Sequence, residues 1–310
     1  MAKALPSPAT QLALAQLPAA TRTILSLDIE HLRTLPAWKI LRATLARDPS
    51  HWFEEFMAGS GFDPTSQLHR ILLALPGEAT PDNRYALVAD VERVDGPRLT
   101  AWLRGRLPGT GCFVRQRAQV DNQLDSQRDN QLILSHGAWT PLMAPLANSP
   151  TLATSALEDP EMRRLCAYVE HGSDHDGPHN VQDAQDGHAV WLAAILPANA
   201  RRSLRQDPRF PDAASIMRIS AFASFEAGLH VEVIADLASS DDAVHLTKRL
   251  TVYLNQAKRH PQVLLLGLAP YLEAVHLETR RSRLHASLAL QLGQLADFIE
   301  RIVGLFHLLR

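Results

Sequence analysis

Cysteine is almost absent from this chain, with only Cys112 and Cys166 among 310 residues. Two thiols in different predicted elements cannot define a disulfide framework, so buried free thiols are the expectation. Lysine is nearly as scarce. It occurs only at Lys3, Lys39, Lys248 and Lys258, so arginine supplies the other 27 of the 31 basic residues. That bias points to a GC-rich genome and carries no functional information. Long hydrophobic runs are missing as well. No window approaches the ~20 apolar residues that a spanning helix requires, so no membrane partner is expected. The early Leu-Ala-Leu-Ala stretch is broken on either side by Gln11 and Gln16 and is too short and polar for a signal h-region, which makes the cytoplasm the expected address. Charge of one sign is also lacking. A formal net charge of -2 offers no drive for counterion release, and no nucleic-acid partner is expected.

What is present is an ordinary globular mixture, 46% hydrophobic and 21% charged, in a chain long enough for two domains with sizeable cores. Residues 1–20 hold Pro6, Pro8 and Pro18 and read as an irregular arm. Leu25, Leu27 and Ile29 then alternate with Ser26, Asp28 and Glu30, the period of a half-buried strand. Apolar faces containing Trp38, Leu41, Leu45, Trp52, Phe53 and Phe56 predict one or two helices over 36–58. Strands are expected near 69–75, 85–91, 112–120 and 131–136, with a short helix from Pro97 between the second and third. A helical turn is expected around Leu142.

The second half repeats this order. A strand from Val190 to Leu196 leads into a short basic helix opened by Pro197. Met217 to Phe225 and Leu229 to Leu237, joined by Ala227-Gly228, make the clearest hairpin in the sequence. Ser239 and Ser240, with Asp241 and Asp242, begin a helix that ends in basic Lys258, as the helix dipole favours. Residues 262–273 are apolar and read as helix bent or interrupted at Pro270. Strands around Val275 to Thr279 and Leu284 to Leu290 flank an arginine-rich turn. A last helix presents Leu295, Phe298, Ile299, Ile302 and Phe306 on one face.

The resulting fold class is α+β: two similarly ordered β-α-β-β-α-β-β-α halves, with mainly antiparallel sheets covered by helices on one face. The domains are an arm at 1–20, a first lobe at 21–147, a connector at 148–187 and a second lobe at 188–310. Low identity between the halves leaves an internal duplication resting on element order and spacing. Within the connector, Asp159 and Pro160 start a helix with Met162, Leu165, Cys166 and Val169 on one stripe. The Gly61 to Pro64 turn before a strand, and the strand, capped helix, hairpin and terminal helix from Leu229 to Leu309, loosely resemble a group of uncharacterised bacterial duplicated α/β proteins. The resemblance implies a fold type and no activity.

Motifs with chemistry are few. Gly105 to Gly111 lacks the Lys-Ser/Thr ending of a phosphate loop and precedes a strand. Ser60 follows a helix, whereas a nucleophile elbow needs a strand, so it reads as a helix stop. His171, His175 and His179 recur every four residues among Asp174, Asp176 and Asp183, with the ligand types of zinc and similar divalent metals. Gly172, Gly177 and Pro178 argue against a helix there. A solvated linker with no cofactor is therefore the preferred reading, with a metal site as the alternative. In the second lobe, His230, His276 and His285 could share the polar sheet face with Glu232 and Glu278. Arg280, Arg281 and Arg283, beside His276 and His285, form a basic turn able to receive carboxylates, with a solvated hairpin tip as the plainer reading.

These observations favour a non-catalytic binding or accessory protein that recognises a peptide or protein segment at a sheet edge or inter-lobe groove, for example an accessory for a peptide substrate in a biosynthetic pathway. The same surfaces suit a homodimer. The alternative is a metal-dependent hydrolytic or peptide-modifying enzyme that uses the histidine cluster.

Overall fold

The structure, a computed structural model, describes residues 10–11, 14–15, 17, 20–46, 52–76, 85–106, 110–116, 130–136, 155–171, 188–206 and 211–308. The chain forms two compact units, Met1–Glu30 with Asp48–Ala194, and His31–Arg47 with Ile195–Arg310. The lobe boundaries drawn from the sequence fall elsewhere. His31–Arg47 groups with the second unit, and the strand Val190–Ile195 pairs with the strand Thr21–Asp28 of the first. Strand partnership is a long-range property, and no local signal at either segment announces it.

In the first unit, β1 (Thr21–Asp28) lies between β2 (Leu68–Pro76) and β6 (Val190–Ile195), and β3 (Tyr85–Val91), β5 (Asn130–His136) and β4 (Thr110–Gln116) continue outward from β2. Every pairing is antiparallel. Ile24, Leu72, Val88, Ile133 and Trp191 share one face by register and are buried. Ala89, Val91, Leu132 and Ala194 are buried as well. From Ile29 the chain makes α1 (Ile29–Thr34) and α2 (Pro36–Ala46), which belong mainly and wholly, respectively, to the second unit. It then returns to the first unit as α3 (Trp52–Ser60) and α4 (Pro64–Gln67). Ser60 does end α3: its hydroxyl donates to the Phe56 carbonyl at 2.6 Å and accepts the Phe62 N–H at 3.1 Å. Asp63 then caps α4 by accepting the Thr65 N–H at 2.8 Å.

α5 (Gly96–Arg106) packs on β4, and α6 (Pro160–His171) follows in the connector. The Asp159 carboxylate accepts the Glu161 and Met162 N–H groups at 2.9 and 3.1 Å, so two amides that lack helical partners are satisfied. The expected stripe of Met162, Leu165, Cys166 and Val169 is buried, and Cys166 is a free thiol. Leu14 and Leu17 are fully buried too, and the Leu17 carbonyl accepts the Ala156 N–H. The helical turn expected around Leu142 lies outside the described residues.

The second unit is an antiparallel sheet in the order β7 (Ile216–Ser224), β8 (Gly228–Leu237), β10 (Arg283–Gln291), β9 (Val275–Arg280), preceded by α7 (Ala198–Gln206). Gly228 opens β8 with φ 147, and a Cβ there would lie 2.1 Å from the Leu290 carbonyl oxygen. Only glycine permits that approach. α8 (Ser240–Lys258) is capped by Ser239, whose hydroxyl accepts the Asp242 N–H at 3.1 Å and donates to its carboxylate at 2.7 Å. Ala243 and Leu246 of α8 form one buried cluster with Ala235, Leu237 and Leu284.

The expected interrupted helix is two short ones, α9 (Pro261–Leu265) and α10 (Ala269–Glu273). The break falls ahead of Pro270. Gly267 is left-handed at φ 64, its N–H bonds the Leu264 carbonyl, and the Leu268 N–H bonds Val263, which closes α9 as a Schellman motif. α11 (Leu292–Leu308) packs on β8 and β10, and its Phe298 ring meets Tyr271 at 5.0 Å.

The α+β class and the antiparallel sheets agree with the sequence reading. The order β-α-β-β-α-β-β runs from β1 to β5 and again from β6 to β10, extra helices set aside. A duplication as its origin rests on that order alone. Among the described residues, no helix is long and apolar enough to cross a membrane.

Leu246 is 2% exposed and Val252, on the same helix, is 54% exposed. Leu246→Ala should lower unfolding free energy by about 3 kcal/mol, read as a fall in denaturant midpoint, while Val252→Ala should stay within about 0.5 kcal/mol.

Candidate functional site

The register of the second sheet sorts its side chains into two faces. On one, Ala235, Leu237 and Leu284 lie under α8, and the Thr279 hydroxyl on β9 is 2.7 Å from that of Thr247. On the other, four cross-strand rows follow from the pairing. Arg218, Asp236, Arg283 and Arg280 make the first row; Ser220, Ile234, His285 and Glu278 make the second. Phe222, Glu232, Ser287 and His276 make the third, and Ser224, His230 and Ala289 the fourth. The polar face expected from strand alternation is therefore present, with His230, His276, His285, Glu232 and Glu278 together on it.

Exposure rises across this face. Ser220 and Ile234 are buried near β7, whereas His276, Glu278 and Arg280 on β9 are exposed. Between them, the Asp236 carboxylate is held by Arg283 at 2.8 Å and Arg218 at 3.1 Å. His285 Nδ1 lies 3.3 Å from Glu232 Oε1. Arg280 donates two bonds to Glu278, at 3.0 and 2.9 Å. Arg281 forms the turn at φ 56, a left-handed conformation that is costly for a side-chain-bearing residue by about 1–2 kcal/mol.

Two of the three turn guanidiniums, Arg280 and Arg283, are thus already paired with carboxylates of the same sheet. An acidic ligand at the turn would have to compete with Glu278 and Asp236. His171 is the last residue of α6, and His175 and His179 lie outside the described residues. Among the described residues, no group of three or more His, Cys, Asp or Glu side chains is arranged to hold a metal ion.

The backbone supplies a site that side-chain reasoning passes over. Among the described residues, β4 and β9 are the two terminal strands, and β9 pairs only with β10. In an antiparallel strand, alternate residues direct both N–H and C=O to one neighbour. The Leu237 N–H donates to the Ser282 carbonyl at 2.9 Å, so Ser282, Leu284, Ala286 and Leu288 bond toward β8. Arg283, His285 and Ser287 therefore bond toward β9, where they meet Arg280, Glu278 and His276. The remaining residues, Val275, Leu277 and Thr279, turn their N–H and C=O outward. Among the described residues, no backbone partner meets those outward groups.

Sequence reasoning also missed a cluster in the first unit. His69 at the start of β2 lies 3.6 Å from Glu30 and 3.7 Å from Glu92, with only 15% of its side chain exposed. These residues come from three separate segments, and no spacing in the sequence connects them. The two carboxylates meet opposite ring nitrogens, a bridging arrangement unlike convergent metal ligation.

No protein-family model and no curated protein sequence matches the chain. A solved structure described as "Structure of crystal form I of TP0453" is similar over 93% of this chain and 96% of that chain, at 9% identity and a TM-score of 0.37.

Hydrogen bonds from Arg280 hold the Glu278 carboxyl below its usual value, and the positive charges of Arg280 and His285 act in the same direction. A depressed carboxyl stabilises the fold above its unfolded value, and that contribution fades as pH falls through the lowered folded value. Side-chain NMR titration should place the Glu278 midpoint below that of a free glutamate. Arg280→Ala should move it upward; an unmoved midpoint would mean that the bidentate pair does not persist in solution.

Proposed function

We propose that this chain is a non-catalytic binding protein, working in the cytoplasm, that takes an extended segment of another polypeptide as an added strand along β9. The observation that carries this reading is the outward-facing backbone of Val275, Leu277 and Thr279 at the end of the sheet. Main-chain bonds supply affinity in strand addition, each worth about 0.5–1.5 kcal/mol net, and the alternating side chains supply selectivity. One flank of the added segment meets His276, Glu278 and Arg280, and the other meets α8 beside Thr247. The suited ligand carries charged or polar residues on the first side and small or aliphatic residues on the second. A peptide substrate that this protein escorts would meet that description.

Proline offers a direct test, because it removes one N–H and is tolerated on a strand edge where that N–H faces away from the ladder. Leu277→Pro leaves the bonds between β9 and β10 in place and removes an outward donor. Peptides enriched on the wild-type protein from a displayed library of random ten-residue segments should bind the Leu277→Pro variant about tenfold or more weakly. Enriched peptides that bind the variant as well as the wild type would overturn strand addition at β9.

A further inference from the structure

We propose that in the free protein β9 is closed by β9 of a second copy, antiparallel about a twofold axis through Leu277, and that a polypeptide ligand reaches the edge by displacing that copy. The inference rests on reading β9 as a strand-addition edge and names the occupant that holds it at rest.

The strand is self-complementary in one register. With the axis at Leu277, Leu277 pairs with its own counterpart and Val275 pairs with Thr279 of the second copy, in both directions. All of these residues turn their backbone groups outward, so every outward donor and acceptor of β9 is used. On the polar face, the same register sets His276 opposite Glu278 of the other copy, twice over. Moving the axis to Glu278 places Glu278 against itself, sets His276 against Arg280, and leaves Val275 facing the turn at Arg281. Two carboxylates directly opposite one another are destabilising, whereas an imidazole opposite a carboxylate can hydrogen-bond to it, so the Leu277 register is favoured by its polar pairs as well as by bond count.

α8 supplies a second surface at the same edge. Thr247 touches β9 through Thr279, and Arg249 reaches Asp212 at 3.2 Å on the opposite flank, which fixes how the helix is rolled. Val244, Lys248, Thr251 and Asn255, at spacings of four, three and four, then fall on the β9 side, and all are exposed. Val244 is 38% exposed and Val252, one position beyond this stripe, 54%. Two β9 strands about 4.8 Å apart bring the two α8 helices, each seated inward over β9 and β10, near the 8–10 Å at which helices pack. The contact is isologous and uses the β9 edge of each copy, so this interface closes on itself as a dimer.

The test is the mass of the full-length chain across the micromolar range by sedimentation equilibrium. The wild type should approach twice the 34.2 kDa of one chain. Glu278→Lys should weaken self-association by about tenfold, because His276 of the partner subunit loses the carboxylate it would hydrogen-bond, and His276→Glu alone should weaken it similarly by setting two carboxylates opposite one another. The double variant, His276→Glu with Glu278→Lys, should restore it. Far-UV circular dichroism on each variant confirms that the fold is kept. A wild type that stays at one-chain mass overturns the inference, as does a dimer indifferent to these substitutions or one that His276→Glu strengthens, the sign of the Glu278 register. Peptide binding sensitive to Leu277→Pro in a monomeric protein would sink self-closure and leave strand addition standing. A dimer with the rescue pattern that selects no peptide would do the reverse.

Discussion

Leu284 of β10 and Ala235 of β8 are paired and share one buried cluster with Leu246 of α8, and that packing sets the parity of the whole second sheet. Side chains alternate along a strand, so one residue of slippage would turn Leu284 and Leu237 to the outer face and bring His285, Glu232 and Asp236 under the helix. Each lost aliphatic burial would cost about 1.5–3 kcal/mol, and buried carboxylates would add more. Gly228 at one end of β8 and the turn at Arg281 at the other keep the register from moving. Gly228 does so by close approach to Leu290, and the Arg281 turn by joining β9 to β10 with the shortest common hairpin connection.

The same parity decides two further properties at once. It gathers the charged residues of four strands onto one face, where Asp236, Glu232 and Glu278 each find a basic partner. It also determines which β9 residues spend their backbone groups on β10 and which present them outward. The residues that present backbone are the ones whose side chains lie on the α8 side. The charged side chains of β9 belong instead to the residues bonded inward. An added strand would therefore be gripped by the backbone of Val275, Leu277 and Thr279 and selected by the side chains of His276, Glu278 and Arg280. Under the proposed strand addition, that division of labour would supply both affinity and selectivity, and the order of polar side chains suits a second copy of the strand.

Much of this was legible in the sequence where the signal is local. The β7–β8 hairpin, the Ser239 cap, the Asp159 cap with its buried stripe and the alternating polar face around Glu232 and His285 all follow from short-range periods and capping chemistry. The paired state of Arg280 was within reach too, since residues two apart on a strand share a face with Glu278. What escaped was non-local. The transfer of β6 to the first unit and of His31–Arg47 to the second depends on partners far away along the chain. The same is true of Asp236 between Arg218 and Arg283, and of His69 between Glu30 and Glu92. Edge status is the extreme case: it is defined by which strand has no further neighbour, and periodicity within β9 does not encode it.

Amide hydrogen exchange along β9 reads the central claim most directly. In protein diluted to one-chain mass, the amides of His276, Glu278 and Arg280 should be protected by β10, while those of Val275, Leu277 and Thr279 exchange near the rate of open chain. The outward amides should gain protection when a strand is added, by peptide or by a second copy at higher concentration. Uniform protection of all six amides in the dilute monomer would contradict the account, because β9 would then already have a neighbour on both sides.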